Sequence, residues 1–214
     1  MSLGERISGL WNEHLLPRAI EVTCSERATG KWRQQVCAPL AGEVLEVGFG
    51  SGTNLAHYPD AVSTVLAVEP SDLAWRRAQG AVGEFGRPVV RVGLDGATLG
   101  MADSSVDAVV SAYTMCTIPD LDAALAEFRR VLKPGGRLHF VEHSLSPDED
   151  VAARQRRWQP RWEKVAGGCH LDRDIPGLVG ASGFALDDLD AFYEPGPAFL
   201  RPFGWLTVGR TQGV

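Results

Sequence analysis

The sequence predicts an α/β fold: a mixed sheet of about seven strands with helices on both faces. Short apolar runs alternate with amphipathic segments between residues 43 and 143, the pattern of a parallel sheet with crossover helices. A glycine-rich loop, Glu46 to Gly52, joins the first apolar run to the next helical segment. After His143 the pattern changes, and two β-like runs near 185–193 and 203–210 read as a closing hairpin with an antiparallel last strand.

Composition sets the frame. The chain has 214 residues, 44% hydrophobic and 22% charged, which suits one globular domain with a sizeable core. Its net charge of -6 argues against a duplex nucleic-acid partner, because neutralising phosphates needs a basic face. Cys24, Cys37, Cys116 and Cys169 form no C-x-x-C pair, so neither a zinc motif nor a disulfide framework is expected. The opening MSLGERISGLWNEHLLPR is interrupted by charges and Pro17; no signal peptide or spanning helix is read, and a cytoplasmic protein is expected. The domain divides into a helical cap (1–40), a ligand-binding core (41–143), a lid-like insertion (144–182) and the hairpin (183–214).

In order along the chain, residues 5–38 read as two helical stretches around Pro17, with Trp11, Leu15, Leu16, Ile20 and Val36 as candidate buried positions. Pro39 and Gly42 close that section. Strands are expected at Glu43–Gly48, Thr64–Pro70, Pro88–Gly93, Val106–Tyr113 and Gly136–His143. Helical segments fall near 53–57, 71–82 and 120–132; the last aligns Leu121, Leu125, Phe128 and Leu132 on one face, and KPGG ends it. Residues 147–165 are basic and carry tryptophans, and 172–181 read as a short helix.

The loop spacing discriminates between ligands. A dinucleotide fingerprint, G-x-G-x-x-G, started at Gly48 would need glycine where Thr53 stands. The pattern is instead E-x-G-x-G-x-G. Glycines 48, 50 and 52 let backbone approach a ligand, and Glu46 suits a cationic group while opposing a pyrophosphate. Glu69, followed by Pro70, ends the second strand 17 residues after Gly52, near the offset at which an acid receives ribose hydroxyls. After the third strand, Asp95 can accept an adenine amine with the backbone of Gly96 or Ala97 beside the ring; a plain Asp-Gly turn is the alternative. The cofactor-side residues are thus Glu46, Gly48, Phe49, Gly50, Gly52, Asn54, Glu69, Pro70, Asp95, Gly96 and Ala97, with Ser111 on the fourth strand.

These motifs, with SSVDAVVSAYTMCTIPD and FRRVLKPGGRLHFVEH, resemble the S-adenosylmethionine-dependent methyltransferase superfamily of Rossmann-like class I fold over about residues 43–143. The resemblance implies S-adenosylmethionine as cofactor and S-adenosylhomocysteine as product. The order VEH, RWQPRWEKVAGGCHLDRD and Leu200–Pro202 is similar to a mammalian methyltransferase-like group that methylates alkyl thiols, and to its bacterial relatives. The chain departs from that group in lacking a hydrophobic N-terminal anchor and in carrying Ala97 where relatives often place an acid.

Ligands of open α/β sheets sit beyond the carboxyl ends of the strands. Tyr113, Thr114, Glu142 and His143 therefore fall near a transferable methyl group, with Trp158 and Trp162 completing a substrate pocket. His143 is the candidate catalytic base, because imidazole titrates near neutrality; a histidine satisfied at a strand end is the alternative. His139, mid-strand, reads as packing. The Arg/Trp stretch reads as a helix capping the site, tryptophans inward and arginines solvated, in preference to a contact with single-stranded nucleic acid or an anionic membrane. Cys169 and His170 are set aside as lid or core residues, since neighbours in sequence do not easily converge on one atom and no third ligand is evident; no metal is expected. Cys116 is expected to be buried. Trp11, His14, Arg18 and Trp32 are further candidates for the acceptor pocket. The expected activity is methyl transfer to a small, partly apolar acceptor, with a thiol or other soft nucleophile favoured. The alternatives are a lipid- or quinone-directed methyltransferase at a membrane surface and a non-catalytic binding module; the loop spacing disfavours a nicotinamide dehydrogenase.

Overall fold

The computed structural model describes residues 26–214. The helical stretch expected around Pro17, with Trp11, His14, Leu15, Leu16, Arg18, Ile20 and Cys24, lies outside the described residues.

Helix α1 (Glu26–Cys37) precedes β1 (Gly42–Val47), a 3-10 turn (Thr53–His57), β2 (Val62–Val68), α2 (Asp72–Arg77), α3 (Gln79–Phe85), β3 (Val89–Gly93) and β4 (Val106–Ala112). Then come α4 (Leu121–Val131), β5 (Leu132–His143), α5 (Glu149–Val165), α6 (Ile175–Ala181), β6 (Leu186–Tyr193), a second 3-10 turn (Ala198–Phe203) and β7 (Trp205–Thr211). The seven strands lie in the order β3-β2-β1-β4-β5-β7-β6. Strands β1 to β5 pair in parallel, and β7 runs antiparallel to both β5 and β6. The late hairpin is as expected, with β6 on the edge and β7 inside. Asp187, Asp188 and Asp190 place charge along that edge, which discourages pairing with another chain.

The inner parallel strands β1, β2, β4 and β5 are buried on both faces, so alternate residues feed two cores, while β3 forms the partly exposed edge. Leu45, Val109, Leu138 and Phe140 meet Leu125 and Phe128 of α4 and Ile175 of α6 on one side. Val44, Val65, Val110 and Val141 meet Val36, Cys37 and Leu55 on the other. Helix α4 buries Leu121, Leu125 and Phe128 of the predicted stripe, while Leu132, also buried, already begins β5; its N-cap Asp120 accepts from Ala123 N–H at 3.1 Å. Full burial of a side chain such as Phe128 is worth about 2–3 kcal/mol.

Two boundaries differ from expectation. The KPGG turn is a bulge inside β5: Val106 pairs with Leu132 and Ala108 with Arg137, so Lys133–Gly136 bows out opposite Asp107, and Lys133 Nζ reaches its carboxylate at 3.0 Å. The helix expected at 71–82 is two short helices meeting at Ala78, whose N–H is shared between the Ala74 and Arg76 carbonyls. Among the described residues no helix is long and apolar enough to cross a membrane.

Strand order reverses between β1, whose chain continues toward β2, and β4, on its other side. The loops leaving the carboxyl ends of these two strands therefore face one another across a crevice, the usual ligand position in such sheets.

Candidate active site

The loop after β1 is held by its backbone. Gly48 and Phe49 N–H groups both donate to Val68 O, at 2.9 and 3.1 Å, turning the chain back over β2. Gly48 has φ 75 and Gly50 φ 60, the left-handed region where a Cβ is costly. A Cβ on Gly48 would lie 2.0 Å from Thr114 Oγ1, so glycine is what lets the β1 and β4 loops touch. A Cβ on Gly50 would meet only the Gly48 carbonyl, at 3.9 Å, and would otherwise stand in open space above the loop.

Glu69 ties this loop to β2. Its Oε2 accepts from Gly50 N–H and its Oε1 from Ser71 N–H, both at 2.7 Å. Each oxygen keeps a further lone pair for a hydroxyl. Arg91 forks onto the Glu69 carbonyl, at 2.9 Å through Nε and 2.6 Å through Nη2, fixing the strand end that carries the acid.

Glu46 sits deeper than the loop pattern suggests. It is 1% exposed, with Oε1 accepting from Asn54 Nδ2 at 2.9 Å and Oε2 from Tyr58 Oη at 2.6 Å. Asn54 in turn accepts from Arg33 Nη1 at 2.6 Å. Glu46 and Asn54 thus form one buried network with Arg33 and Tyr58, beneath the loop rather than open above it. Burial pushes the Glu46 carboxyl up to about 7, against the lowering by Tyr58, Arg33 and Asn54. Folding therefore favours the protonated acid. Its contribution to stability is fully present below the unfolded pKa near 4.5 and is lost as pH rises through about 7, on the order of 3 kcal/mol in all. Glu46→Gln should remove that dependence. Urea unfolding at pH 5 and pH 8 should show the variant gaining on the parent as pH rises; a constant difference would mean Glu46 stays ionised throughout.

Phe49 points into the core, 2% exposed and 5.5 Å from the Trp75 ring, so only its backbone lines the loop. Pro70 is exposed beside Glu69. Asp95 Oδ1 accepts from Ala97 N–H at 2.9 Å, so the Asp-Gly turn is formed, with the carboxylate exposed. A Cβ on Gly96 would sit 3.0 Å from Val47 Cγ1, which places this turn directly over the end of β1.

On the acceptor side Glu142 is a fully buried clamp. Its Oε1 accepts from Ser111 Oγ at 2.7 Å and from Thr114 and Met115 N–H at 2.9 Å, and its Oε2 from Cys116 N–H at 3.1 Å. Ser111 and Glu142, expected at the ligand, instead bind each other and shape the loop after β4. Burial raises the Glu142 carboxyl while those four donors oppose it. Tyr113, at φ 59, sets its ring edge-on to His143, with centroids 5.6 Å apart.

His143 does not stand alone. Its Nδ1 lies 3.8 Å from Cys169 Sγ, which lies 3.6 Å from Cys116 Sγ. Cys169 thus pairs with two residues distant in sequence and not with His170, whose Nδ1 meets Gln159 Nε2 at 3.1 Å. Burial opposes charge on His143, but Cys169, Glu194 and Glu142 outweigh it and raise the imidazole. The Cys116 contact, helped by His143 and Trp162 against burial, lowers the Cys169 thiol, while its neighbour Cys116 is raised.

The Arg/Trp stretch is helix α5, capped by Asp148 and containing Pro160. Its inner face carries Val151, Ala152, Gln155, Gln159 and the half-buried Trp162; Trp158 is 47% exposed. The expectation that both tryptophans face inward fails at Trp158, because 155, 159 and 162 share the buried stripe and 158 lies beside it. Trp162 packs on the Cys116, Cys169 and Leu171 cluster and on Phe203, ring centroids 4.7 Å apart. Trp32 stacks on Phe192 of β6 at 3.9 Å, where Phe192 is in register with Leu206 and through it with His143. His139 is buried, and burial with Arg210 and Arg137 lowers it to about 4, as suits a packing residue.

Several positioning residues escaped the sequence reading. Arg33 and Tyr58 join the Glu46 network and Arg91 holds the Glu69 carbonyl; Gln155 holds Ser146 N–H at 2.9 Å and Ser144 O at 3.0 Å. Gln159 holds Leu171 N–H at 2.8 Å and Cys169 O at 3.2 Å, and Arg173 Nη1 holds Met115 O at 3.0 Å and Ile118 O at 2.6 Å. The two glutamines were detectable as polar members of the α5 apolar stripe. The arginines carried no local signal.

A glycine loop open above Gly50, an acid pinned against it, and a turn over β1 are the arrangement of a nucleoside-binding crevice, and the residues present fit such a ligand. Residues 45–140 match the model of the methyltransferase domain family. Thiol S-methyltransferase TMT1B of Rattus norvegicus is 34% identical over 172 residues, covering 78% of this chain and 66% of that protein. Thiol S-methyltransferase TMT1A of Homo sapiens is 33% identical over 144 residues, covering 61% and 55%. A putative methyltransferase from Bacillus halodurans superposes with TM-score 0.68 at 16% identity, over 84% of this chain and 96% of that one. The chain belongs to the class I S-adenosylmethionine-dependent methyltransferases, and S-adenosylmethionine is its cofactor. It spans about two thirds of the length of the first of these relatives.

Proposed function

We propose that the protein transfers a methyl group from S-adenosylmethionine to the sulfur of a small, partly apolar thiol. The observation that carries this reading is the acceptor end of the crevice, where His143, with the Tyr113 ring edge-on to it, and Trp162 flank two thiols while Glu142 is occupied by four donors. That is a soft, largely apolar environment, and the relatives named for thiol methylation support it.

The cofactor supplies a methyl group on a sulfonium, which moves by in-line displacement without a covalent protein intermediate. Glu69 is placed to receive ribose hydroxyls, and the backbone around Gly48, Gly50 and Gly52 to receive the amino-acid portion. The Asp95–Ala97 turn borders the adenine side. A thiol of pKa roughly 8.5 is only a few per cent ionised at neutral pH, so a group that takes its proton helps. His143 holds that position, at the end of β5 against the Tyr113 ring. Helix α5 covers this end and limits water through Trp162.

Incubation with methyl-labelled cofactor and a panel of alkyl thiols, phenols and amines should label the thiols. Label on phenols or amines alone would remove the sulfur reading. No label on any acceptor, with cofactor binding intact by calorimetry, would leave a binding module.

A further inference from the structure

We propose that Cys116, Cys169 and His143 form a three-ligand site for a thiophilic divalent cation, zinc by its chemistry, whose fourth position takes the acceptor sulfur. The metal site stands on geometry alone; its role toward the acceptor rests on the thiol reading above.

The three ligand atoms lie within 4.8 Å of one another. Tetrahedral zinc, with Zn–S about 2.3 Å and Zn–N about 2.0–2.1 Å, sets its ligands roughly 3.8 Å apart for two sulfurs and roughly 3.6 Å for sulfur and nitrogen. The separations here are 3.6 Å between the sulfurs and 3.8 Å from Cys169 Sγ to His143 Nδ1. They exceed the roughly 2.0 Å of a disulfide by far.

The ligands come from three separate elements, each fixed independently. Cys116 N–H is held by Glu142 at 3.1 Å. The carbonyl of Cys169 is held by Gln159 at 3.2 Å, after a turn through Gly167 and Gly168 at φ 63 and 83. His143 ends β5, in register with Leu206. A bond from His170 N–H to Cys116 O at 2.8 Å locks the two cysteine loops together. Such preorganisation is what a metal site needs and a pair of core thiols does not.

The donors select the ion. Two thiolates and an imidazole favour zinc over magnesium or calcium, and Glu142, clamped by four donors, is withdrawn from ligation. Three protein ligands with one open position is the arrangement of reactive rather than structural zinc. When a thiol R–SH enters, the metal–water bond breaks, a metal–sulfur bond forms, and the S–H proton passes to bulk water. The acceptor is then a thiolate at neutral pH, and with the metal bound this coordination replaces the proton-taking role that His143 has in the metal-free site.

The test is metal analysis of the chain reconstituted with zinc under reducing, anaerobic conditions, followed by cobalt(II) substitution. About one zinc per chain is expected. Cys116→Ser and Cys169→Ser should lower the content at least tenfold, and Cys37→Ala, in the opposite core, should leave it unchanged. The cobalt form should show sulfur-to-metal charge transfer that shifts when 2-mercaptoethanol is added. No zinc in the parent chain, or a Cys116–Cys169 disulfide in its place by mass spectrometry, overturns the site. A charge-transfer band unmoved by saturating thiol overturns the acceptor role. Because metal content is read without turnover, failure here is separable from failure of the thiol panel.

Discussion

Gly48→Ala should weaken S-adenosylmethionine binding at least about a hundredfold, equivalent to about 2.7 kcal/mol. Two independent penalties act at this position. At φ 75 an alanine is strained by about 1–2 kcal/mol, and its Cβ would stand 2.0 Å from Thr114 Oγ1 and 2.4 Å from Cγ2. Thr114 has little freedom to withdraw, since its N–H donates to Glu142 at 2.9 Å and its hydroxyl to Ala112 O at 3.2 Å. The loop itself must lift, which breaks the bonds from Gly48 and Phe49 to Val68 O and moves Gly50 away from Glu69. Gly80→Ala in α3 is the matched control: a Cβ there meets nothing within 4 Å, and it should stabilise the helix by about 0.5–1 kcal/mol with binding unchanged. Calorimetric titration of both variants decides the matter. Retention of affinity within threefold in Gly48→Ala would show that the loop does not contact the cofactor.

The second large effect is expected at Glu142. Glu142→Leu leaves three backbone N–H groups and the Ser111 hydroxyl without their acceptor in a fully buried setting. Unsatisfied buried donors cost about 1–3 kcal/mol each, and partial relaxation sets the expected total at about 3–5 kcal/mol. Against the 5–15 kcal/mol typical of a folded domain, that is a large fraction. Glu142→Gln keeps a carbonyl oxygen for the three donors on Oε1 but sets an amide N–H against Cys116 N–H, and should cost about half as much. Urea unfolding at pH 7 measures both. A loss below 1 kcal/mol in Glu142→Leu would mean that the loop after β4 is held by other contacts.

The sequence reading erred where a residue type had a local meaning and a different tertiary one. Ser111 and Glu142 read as ligand-facing because they sit at strand ends, yet a register that sets Ser111 opposite Phe140 brings them together inside the sheet. Trp158 read as inward because aromatic residues favour burial, yet the helical phase of α5 puts Gln155 and Gln159 inside. Cys169 reads as a lid or core residue with no third ligand in sight, because its contacts lie 53 and 26 residues away along the chain.

What the sequence determined by itself is the fold class and the cofactor. Strand periodicity, glycine spacing and the offset of Glu69 are local properties, and the loops proposed to hold S-adenosylmethionine take their geometry from their own residues and the strand each one leaves. The proposed acceptor end was decided by tertiary structure alone. It is assembled from β4, β5 and the segment after α5, whose side chains meet only once the parallel register is set and α5 has folded back over the sheet. Contacts between positions so far apart along the chain leave no spacing to read.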